Sequence, residues 1–374
     1  MKRKKTELKK TINSLVKKHG TPLFLISKSM LINQVQRFHN LLPGVKPFYA
    51  VKANCHPYIL KILAECGTGF DVASIQEMKM ILDLGVKPER ILLANTVKRP
   101  EALKFAAQHG VRSMTFDSEY ELNKIAKYAP GSRVLIRIKV PNVGSIVELS
   151  LKFGAEPADA IPFLIKAFQL KLKPVGVSFH VGSQNTNVEN YLASLEMASI
   201  IFKDARLKQL PLEILDIGGG FPIRYFEQDK DYFTPMSVHI RKEMKRLFTP
   251  DVKVIAEPGR AIVGPACYIV MKVVGKSIRG NKHWYYLDDG VYGSLSGIIF
   301  DHAKYQYRTF RRGITQITTL AGPTCDSLDI ISVSEDMPEL EIGDLVYCEN
   351  TGAYSWATAT NFNGIPPAQV FLIP

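Results

Sequence analysis

Short β-rich runs alternate with amphipathic helical stretches from residue 46 to about residue 260, and this alternation constrains the fold more than any other feature. Between the runs, apolar residues recur at three- and four-residue spacing, and several stretches end in glycine, as helix C-termini often do. Eight runs predict strands: KPFYAVK (46–52), GFDVAS (69–74), RILLANT (90–96), SMTFDS (113–118), RVLIRIKV (133–140), PVGVSFHVG (174–182), LEILDIGGG (212–220) and KVIAEPG (253–259). Eight strand–helix units over about 220 residues predict a closed parallel (β/α)8 TIM barrel, with an open doubly wound sheet as the alternative.

The segments outside the predicted barrel have a different pattern. After about residue 266, helical periodicity nearly disappears and strand-like runs are separated by Gly, Pro and Asp, which predicts a C-terminal all-β domain. The early run PLFLISKS (22–29) is also strand-like and is predicted to join that domain. We therefore predict three regions: a basic arm plus a strand of the β domain (1–26), the barrel (27–266) and the C-terminal β domain (267–374).

Composition excludes several classes of protein. With 46% apolar, 10% aromatic and 22% charged residues, the chain has the composition of a globular protein and not of a disordered one. It contains no run of about 18 apolar residues, and no apolar segment follows the basic start, so neither a transmembrane helix nor a secretory signal is predicted. The five cysteines form no CxxC pair, so we expect no metal site and reduced thiols in a cytoplasmic protein.

The positive charge is concentrated at the N-terminus. Residues 1–18 carry eight Lys/Arg and one acid, and thus supply +7 of the net charge of +13. The pattern predicts a solvated helical arm, and the alternative is a tether to nucleic acid or to another anionic surface. No aromatic residues interleave with these lysines, which disfavours single-strand nucleic-acid binding, so we expect no nucleic-acid partner.

Polar residues follow most of the predicted barrel strands, and in such barrels the active groups lie at the C-terminal ends of the strands. They are Lys52, Asp71, Ser74, Arg137, His180, Ser183, Gly218, Gly219, Gly220, Glu257, Gly259 and Arg260. Lys52 lies in the otherwise apolar run PFYAV, where it is either a snorkelling surface lysine or a lysine that forms a Schiff base. In the second case, desolvation would lower the pKa of the amine and make the neutral nucleophile available near neutral pH.

The GGG triplet after the seventh strand predicts an anion site. Glycine lets the backbone approach a ligand closely, and the loops after strands seven and eight of such barrels commonly bind phosphate. Arg260 in the next loop adds a cation, whereas a tight turn is the structural alternative. A lysine for an imine together with a phosphate site indicates pyridoxal phosphate (PLP), and Glu257 could then keep the pyridine nitrogen protonated. His180 is either a core histidine or a residue that lies over the cofactor ring.

The β domain carries four polar motifs: DDGVYG (288–293), FDHA (300–303), GPTCDSLD (322–329) and ENTGAY (349–354). A cysteine followed by an aspartate in a Gly-Pro loop is not typical of a protein core. A free buried cysteine nevertheless remains the structural alternative for Cys325.

Many of these motifs, in this order, resemble one family. From about residue 22 to the C-terminus, the chain is similar to the barrel-type PLP decarboxylases of basic amino acids, the ornithine-decarboxylase-like family with the alanine-racemase-type fold. The resemblance includes YAVKAN, TGFDVAS, LIRIKV, SLKFGA, SFHVGSQ, DIGGGFP, AEPGR, DDGVYGS, FDHA, GPTCDSLD, ENTGAY and FNG. It implies a PLP-dependent carboxy-lyase that works as a homodimer with shared active sites.

The resemblance also implies roles for individual residues. Lys52 would be the Schiff-base lysine, Glu257 would pair with the pyridine nitrogen and His180 would stack on the ring. Cys325 would return a proton to the product carbanion. The phosphate would be held by Ser183, Gly218, Gly219, Gly220, Gly259, Arg260 and Tyr354. Other cofactor contacts would be Asp71, Glu77 and Arg137. The substrate would meet Tyr292, Phe300, Asp301 and Asp326, and Lys152 and Asp329 would form a pair across the dimer interface.

The resemblance leaves the substrate partly open. Asp301 and Asp326 suit a distal ammonium, and FDHA is close to the YDHA of the ornithine branch, so we expect conversion of L-ornithine to putrescine and CO2. Phe300 in place of the usual Tyr, and Gln184, which is frequent in the diaminopimelate branch, depart from that pattern. L-lysine or mixed lysine/ornithine decarboxylation is the alternative, followed by diaminopimelate or arginine. A non-catalytic regulator would be expected to lose cofactor residues such as Lys52, Glu257 and Cys325, which this chain has kept.

Overall fold

The computed structural model describes residues 2–146 and 151–374, with the side chains of residues 2–5 outside that description. Ser150, the first residue of SLKFGA, also lies outside it. The chain forms two compact units. One, the barrel unit, comprises Ile32–Ile223 and Lys230–Ile262, and the other, the β unit, comprises Met1–Leu31, Arg224–Asp229 and Val263–Pro374. The chain begins with helix α1 (Lys2–His19), strand β1 (Leu23–Ser27) and helix α2 (Lys28–Leu41).

The barrel unit is built from eight parallel strands that pair in chain order and close on themselves. They are β2 (Lys46–Ala50), β3 (Gly69–Val72), β4 (Ile91–Leu93), β5 (Ser113–Phe116), β6 (Arg133–Arg137), β7 (Lys173–Ser178), β8 (Ile214–Asp216) and β9 (Lys253–Ala256). The closing pair is β2–β9, in register Lys46 with Ile255 and Pro47 with Ala256. The predicted barrel is confirmed, and the open doubly wound sheet is wrong.

Amphipathic helices connect the barrel strands, as the apolar spacing predicts. They are α3 (Pro57–Glu65), α4 (Ile75–Asp83), α5 (Pro100–Gln108), α6 (Glu119–Tyr128), α7 (Ala160–Gln169), α8 (Val188–Leu207), α9 (Phe233–Leu247) and the short α10 (Arg260–Val263). Side chains from five of the strands form an apolar cluster that includes Phe48, Leu92, Leu135, Val175 and Ile255. Because the barrel is packed, polar chemistry is confined to its ends.

The β unit is a sheet of eight strands that contains β1. Its other strands are β10 (Cys267–Arg279), β11 (Lys282–Leu287), β12 (Tyr307–Thr309), β13 (Thr315–Ala321), β14 (Ile330–Pro338), β15 (Leu345–Glu349) and β16 (Gln369–Ile373), with a short helix α11 (Gly297–Phe300). Strand β1 pairs antiparallel with β10 and parallel with β16. The unit also includes Arg224–Asp229, a segment that the sequence pattern assigned to the barrel.

Helix α1 packs on this sheet, which differs from a solvated arm. Ile12 is fully buried in a cluster with Leu23, Leu25, Val270 and Ile373. Leu8, Leu15 and Val16 pack against the same cluster. These apolar residues recur every three to four positions and therefore form one stripe of the helix, whereas Lys10 and Lys17 are exposed. Of the helices described, none is long and apolar enough to cross a membrane.

Candidate active site

Lys52 lies just beyond the C-terminal end of β2. The chain forms a single 3-10 turn over Val51–Ala53, in which Val51 and Ala53 are buried. The Nζ atom of Lys52 lies 3.6 Å from Oδ2 of Asp71, and 46% of the lysine side chain is exposed whereas Asp71 is buried. The lysine amine is therefore held at the barrel mouth by a buried carboxylate and remains accessible to a ligand.

Asp71 lies near the end of β3 and faces two cations. Burial raises the pKa of its carboxyl, and the charges of Lys52 and Arg137 act in the opposite direction. Arg137 ends β6 and packs its guanidinium over the ring of Phe153, 5.2 Å from the ring centroid. Charged groups from β2, β3 and β6 thus meet at one end of the barrel, as predicted.

His180 follows β7 as a neutral imidazole. Burial lowers the pKa of this histidine well below its ordinary value, and the nearby charges of Arg137 and Lys52 lower it further. Its Nδ1 atom accepts a hydrogen bond from the backbone N–H of Gly182 at 3.1 Å. Because Nδ1 is the acceptor, the single proton of the neutral ring is on Nε2. Such a ring can lie against an aromatic ligand without adding a positive charge to it.

Glu257 follows β9 and is paired with a second buried carboxyl, Asp216, at the end of β8. Asp216 accepts hydrogen bonds from Ser178 Oγ at 3.0 Å and from the N–H of Gly218 at 2.9 Å. Burial raises the pKa of Glu257 well above its ordinary value, and the negative charges of Asp216 and Asp71 raise it further. The raised pKa favours the protonated form of Glu257, and its Oε1 atom has no hydrogen-bond partner among the described residues. That atom can donate to, or protonate, a basic ligand atom.

The three glycines after β8 form a loop that admits no side chains. Gly218 and Gly220 have positive φ angles of 64° and 102°. A Cβ atom on Gly219 would lie 2.6 Å from the carbonyl oxygen of Glu257 and 2.9 Å from Nε2 of His180. A Cβ atom on Gly220 would lie 2.3 Å from the carbonyl oxygen of Gly182. The triplet is thus required by close backbone approach, and it is more than an ordinary turn.

Arg260, in the loop after β9, binds the loop after β7. It is buried, begins α10 directly after Gly259, and donates from Nη2 to Ser183 Oγ at 2.9 Å. A guanidinium, a hydroxyl and the glycine backbone therefore lie together. We call Ser183, Gly218, Gly219, Gly220 and Arg260 the anion cradle. Oxygen atoms of a phosphate are suitable ligands for such a group of donors.

Sequence reasoning missed the residues that support the cradle. Tyr191 on α8 is fully buried and donates from its hydroxyl to the carbonyl oxygen of Gly219 at 2.8 Å. The N–H of Asn185 donates to the carbonyl oxygen of Gly220 at 2.9 Å. Asp216, described above, binds the N–H of Gly218. Asp216 is the first residue of the recognised motif DIGGGFP and Asn185 follows SFHVGSQ, but the contacts of all three depend on the closed barrel. Tyr191 has no local sequence signal.

Glu77, which was predicted to lie near the cofactor, caps a helix. Its N–H donates to Ser74 Oγ at 3.1 Å, and its Oε2 accepts from the N–H of Ala73 at 2.6 Å. These contacts fix the start of α4 directly after β3. Burial raises the pKa of Glu77, and the charge of Asp71 contributes to the same effect.

Within the β unit, the predicted substrate residues lie on loops. The hydroxyl of Tyr292 donates to Oδ2 of Asp326, and the Tyr292 ring stacks on Phe362 with centroids 4.3 Å apart. Cys325 is exposed, so the alternative of a free buried cysteine is wrong. The N–H of Cys325 donates to Oδ1 of Asn363 at 3.1 Å, which explains the place of the FNG motif.

Three further predicted residues of the β unit have distinct environments. Asp301 is buried at the end of α11, whereas the side chain of the preceding Phe300 is 63% exposed. Tyr354, in the loop after β15, has a positive φ angle of 52°, which is uncommon for a residue with a side chain.

Of the predicted interface pair, Lys152 belongs to the barrel unit and Asp329 to the β unit. Asp329 is buried and accepts from the N–H of Val291 at 2.9 Å and from the hydroxyl of Thr324 at 2.8 Å. Lys152 is exposed and lies over the ring of Phe153, 5.0 Å from the centroid. The carboxylate of Asp329 thus organises the GPTCDSLD loop of its own chain.

The fold is a closed barrel, an accessible lysine lies beside a buried aspartate at its mouth, and the anion cradle is formed by the loops after β7, β8 and β9. Together these features define the class of barrel-type PLP enzymes. Comparison with known proteins narrows the class. Residues 28–264 match the family described as "Pyridoxal-dependent decarboxylase, pyridoxal binding domain". The chain therefore belongs to the pyridoxal-dependent decarboxylase family.

Characterised relatives agree over nearly the full chain. The lysine/ornithine decarboxylase of Selenomonas ruminantium is 40% identical over 97% of this chain and 92% of its own length. The lysine/ornithine decarboxylase of Vibrio vulnificus, solved with putrescine, is 35% identical, covers 97% of both chains and superimposes with a TM-score of 0.91. SrLDC, solved with PLP and cadaverine, is 38% identical over 97% of this chain and 93% of its own, with a TM-score of 0.91.

The resemblance noted from the sequence is thereby confirmed: the protein is a PLP-dependent decarboxylase, and its substrate is a basic amino acid. The barrel residues fit this cofactor. The unpartnered Glu257 oxygen suits a pyridine nitrogen, the accessible Lys52 amine suits an aldehyde, and the anion cradle suits a phosphate. Glycines at positions 218–220 leave space that a Cβ atom would fill.

Proposed function

We propose that the protein decarboxylates L-ornithine to putrescine and CO2. The observation that carries the proposal is a pair of acidic residues in the β unit, Asp301 and Asp326. Asp326 accepts a hydrogen bond from Tyr292 and directly follows the exposed Cys325. Carboxylates bind a terminal ammonium, whereas the distal carboxylate of diaminopimelate would need a cation. Asp301, buried at the end of α11, is the second acid proposed to bind the substrate ammonium.

In this proposal, the residues of the barrel unit bind and tune the cofactor. Lys52 is the amine that forms the Schiff base, and Asp71 and Arg137 set the charge around it. When bound, PLP supplies an electron sink for the carbanion left by loss of CO2. Glu257 would hold the pyridine nitrogen and keep it protonated, which would maintain that sink. His180 offers a neutral ring surface, and the anion cradle, with Gly259 and Tyr354, binds the phosphate.

The GPTCD loop of the β unit, which carries Cys325 and Asp326, is proposed to act on the substrate from a second subunit. Cys325 returns a proton to the α-carbon, and its exposed position is what such a donor requires. Tyr292 and Phe300 complete the substrate pocket. Under this proposal the homodimer is the active form, with Lys152 of one subunit facing Asp329 of the other.

L-Lysine is the second candidate substrate, and the similarity to lysine/ornithine decarboxylases favours it. Lysine differs from ornithine by one methylene, which a pocket discriminates by only about 1–3 kcal/mol. We therefore expect measurable activity on lysine beside a preference for ornithine.

The decisive experiment measures CO2 release from L-ornithine, L-lysine, L-arginine and meso-diaminopimelate in parallel. We expect the highest kcat/KM for ornithine and a lower value for lysine, with little activity on the other two. A preference for diaminopimelate would contradict the role of Asp301 and Asp326. The Lys52→Ala variant is the control, since it should lose both the imine absorbance and all CO2 release. Wild-type protein that lacks the imine absorbance would instead favour a non-catalytic regulator.

A further inference from the structure

One side chain ties the loop after β7 to the loop after β8. The Nε2 atom of Gln184 donates to the carbonyl oxygen of Ile223 at 2.7 Å, and the N–H of Ile223 donates to Gln184 Oε1 at 3.0 Å. Both bonds are buried, and Gln184 is only 8% exposed. A side-chain amide carries both a donor and an acceptor, so it can bind the N–H and the carbonyl oxygen of one residue at the same time. Gln184 therefore acts as a two-bonded clamp on the backbone of Ile223.

The clamp lies next to the proposed phosphate loop. On one side it follows Ser183, which receives the hydrogen bond from Arg260. On the other side it fixes Ile223, three residues beyond Gly220. The N–H of Asn185 donates to the Gly220 carbonyl oxygen, so the two loops are joined at the last glycine and again three residues beyond it. If the clamp were absent, the glycine loop would lose one of its two anchors to the loop after β7.

The backbone at Gln184 is itself unusual. Its φ angle is 52°, in the left-handed region that residues with a side chain seldom adopt. Such a conformation persists where the surrounding contacts maintain it, and strained positions of this kind cluster at ligand sites. The bonds to Ile223 are contacts that maintain it here.

We infer that Gln184 is a positioning residue that pre-organises the anion cradle for the phosphate of PLP, and that it does not select the substrate. The inference rests on the proposed assignment of Ser183, Gly220 and Arg260 to the phosphate. It replaces the interpretation of Gln184 as a mark of diaminopimelate specificity, because the amide is committed to Ile223. Pre-organisation raises affinity by removing the cost of ordering the loop on binding.

The test compares Gln184→Met with Gln209→Met. Methionine keeps the length of the side chain and removes both hydrogen bonds. Gln209 is a matched control, since it also has a positive φ angle, of 57°, but is exposed. For each variant, the dissociation constants of PLP and of pyridoxal, which lacks the phosphate, are measured from the imine absorbance.

We expect Gln184→Met to weaken PLP about tenfold or more, since two buried backbone groups lose their partners, and to change pyridoxal by less than about twofold. Gln209→Met should change neither constant. Equal weakening of both ligands would mean general damage to the barrel, and unchanged PLP affinity would mean that the clamp is irrelevant. Either result overturns the inference.

A second variant covers the case in which Gln184→Met does not fold. Gln184→Glu keeps the acceptor for the N–H of Ile223 and loses the donor to its carbonyl oxygen, so it should also weaken PLP selectively. If neither variant folds, Gln184 is a stability residue and the inference is wrong. The ratio of ornithine to lysine turnover at saturating PLP separates this test from that of the proposed function. That ratio should not change in Gln184→Met, whichever substrate the wild-type enzyme prefers.

Discussion

Asp216 has no proposed contact with cofactor or substrate, but it affects the pKa of Glu257 at the barrel mouth. It is completely buried, binds Ser178 and the N–H of Gly218, and shares a hydrogen bond with Glu257. The hydrogen bond with Glu257 lowers the pKa of Asp216, whereas the negative charge of Asp216 raises the pKa of Glu257, so the pair favours a proton on Glu257. Asp216 therefore helps to keep a proton on Glu257, where the proposed mechanism needs it.

This pair predicts a pH dependence of stability in the protein without cofactor. Burial raises the pKa of Asp216 from 3.8 to about 6. Since the folded state holds the proton more tightly than the unfolded state, the contribution of Asp216 to stability is full below about pH 4 and is lost as the pH rises through 6. The free energy of unfolding of the wild type, minus that of Asp216→Asn, should fall by about 2–3 kcal/mol between pH 4 and pH 7.

Urea denaturation of the cofactor-free protein at several pH values measures this difference. The exposed Asp83, at the end of α4, provides a matched control as Asp83→Asn, which should parallel the wild type. If the free energies of unfolding of the wild type and of Asp216→Asn change in parallel from pH 4 to pH 7, the pKa of the Asp216 carboxyl is not raised in the folded protein.

Sequence reasoning identified the residues that are unusual for their surroundings. Lys52 in an apolar run, the GGG triplet and Cys325 in a Gly-Pro loop each depart from a core pattern and could be recognised locally. The supporting residues could not, because their partners are distant along the chain. Gln184 binds a residue 39 positions away, a contact that exists only once β7 and β8 lie side by side.

At the scale of elements, all eight barrel strands were predicted in the correct order, but their ends were placed too far along the chain. The run PVGVSFHVG was predicted as a strand to residue 182, whereas β7 ends at Ser178. The hydrogen bond from the N–H of Gly182 to His180 turns the chain there. Apolar side chains continue past the strand because the turn is buried, and periodicity alone does not distinguish a buried strand from a buried turn.

Helix α1 is the element whose environment the sequence described least well. Its eight basic residues suggest a solvated arm, but Ile12 is buried against the sheet of the β unit. On the opposite side, Lys10 and Lys17 are exposed. The amphipathic stripe of only four apolar residues is easily overlooked in so basic a segment.

The contact of α1 with the sheet predicts a loss of stability when Ile12 is shortened. Ile12→Ala should lower the free energy of unfolding by about 2–4 kcal/mol, the usual cost of a cavity at a fully buried aliphatic position. The adjacent Asn13 is exposed, and Asn13→Ala should change the stability by less than about 0.5 kcal/mol. Thermal unfolding of the two variants beside the wild type measures both effects, and similar melting temperatures for all three would mean that α1 does not pack on the sheet in solution.

At the scale of the whole molecule, the net charge of +13 opposes the approach of a cationic substrate. Basic residues of α1 supply more than half of this charge, and one of them, Lys9, lies over the ring of Phe310. Local carboxylates such as Asp301 and Asp326 must therefore attract the substrate at short range. Because the long-range positive field repels the substrate, the placement of these acids is more important for substrate capture. The same holds for the proposed assembly of two subunits.

The proposed shared site predicts that two inactive variants restore activity in a mixed dimer. Lys52→Ala and Cys325→Ala each damage every site of their own homodimers. If Lys52 and Cys325 of one site come from different chains, a mixed dimer has one intact site and one doubly damaged site. Random pairing makes half of the dimers mixed, so co-expression of the two variants should give about one quarter of the wild-type rate of diamine formation.

Co-expression with two different affinity tags allows the mixed dimer to be purified, and its rate should then be about half that of the wild type. Each variant alone, carried through the same procedure, gives the background. A mixed dimer no more active than the mean of the two variants would mean that Lys52 and Cys325 act within one chain. In that case the homodimer would no longer be needed to bring these two residues together.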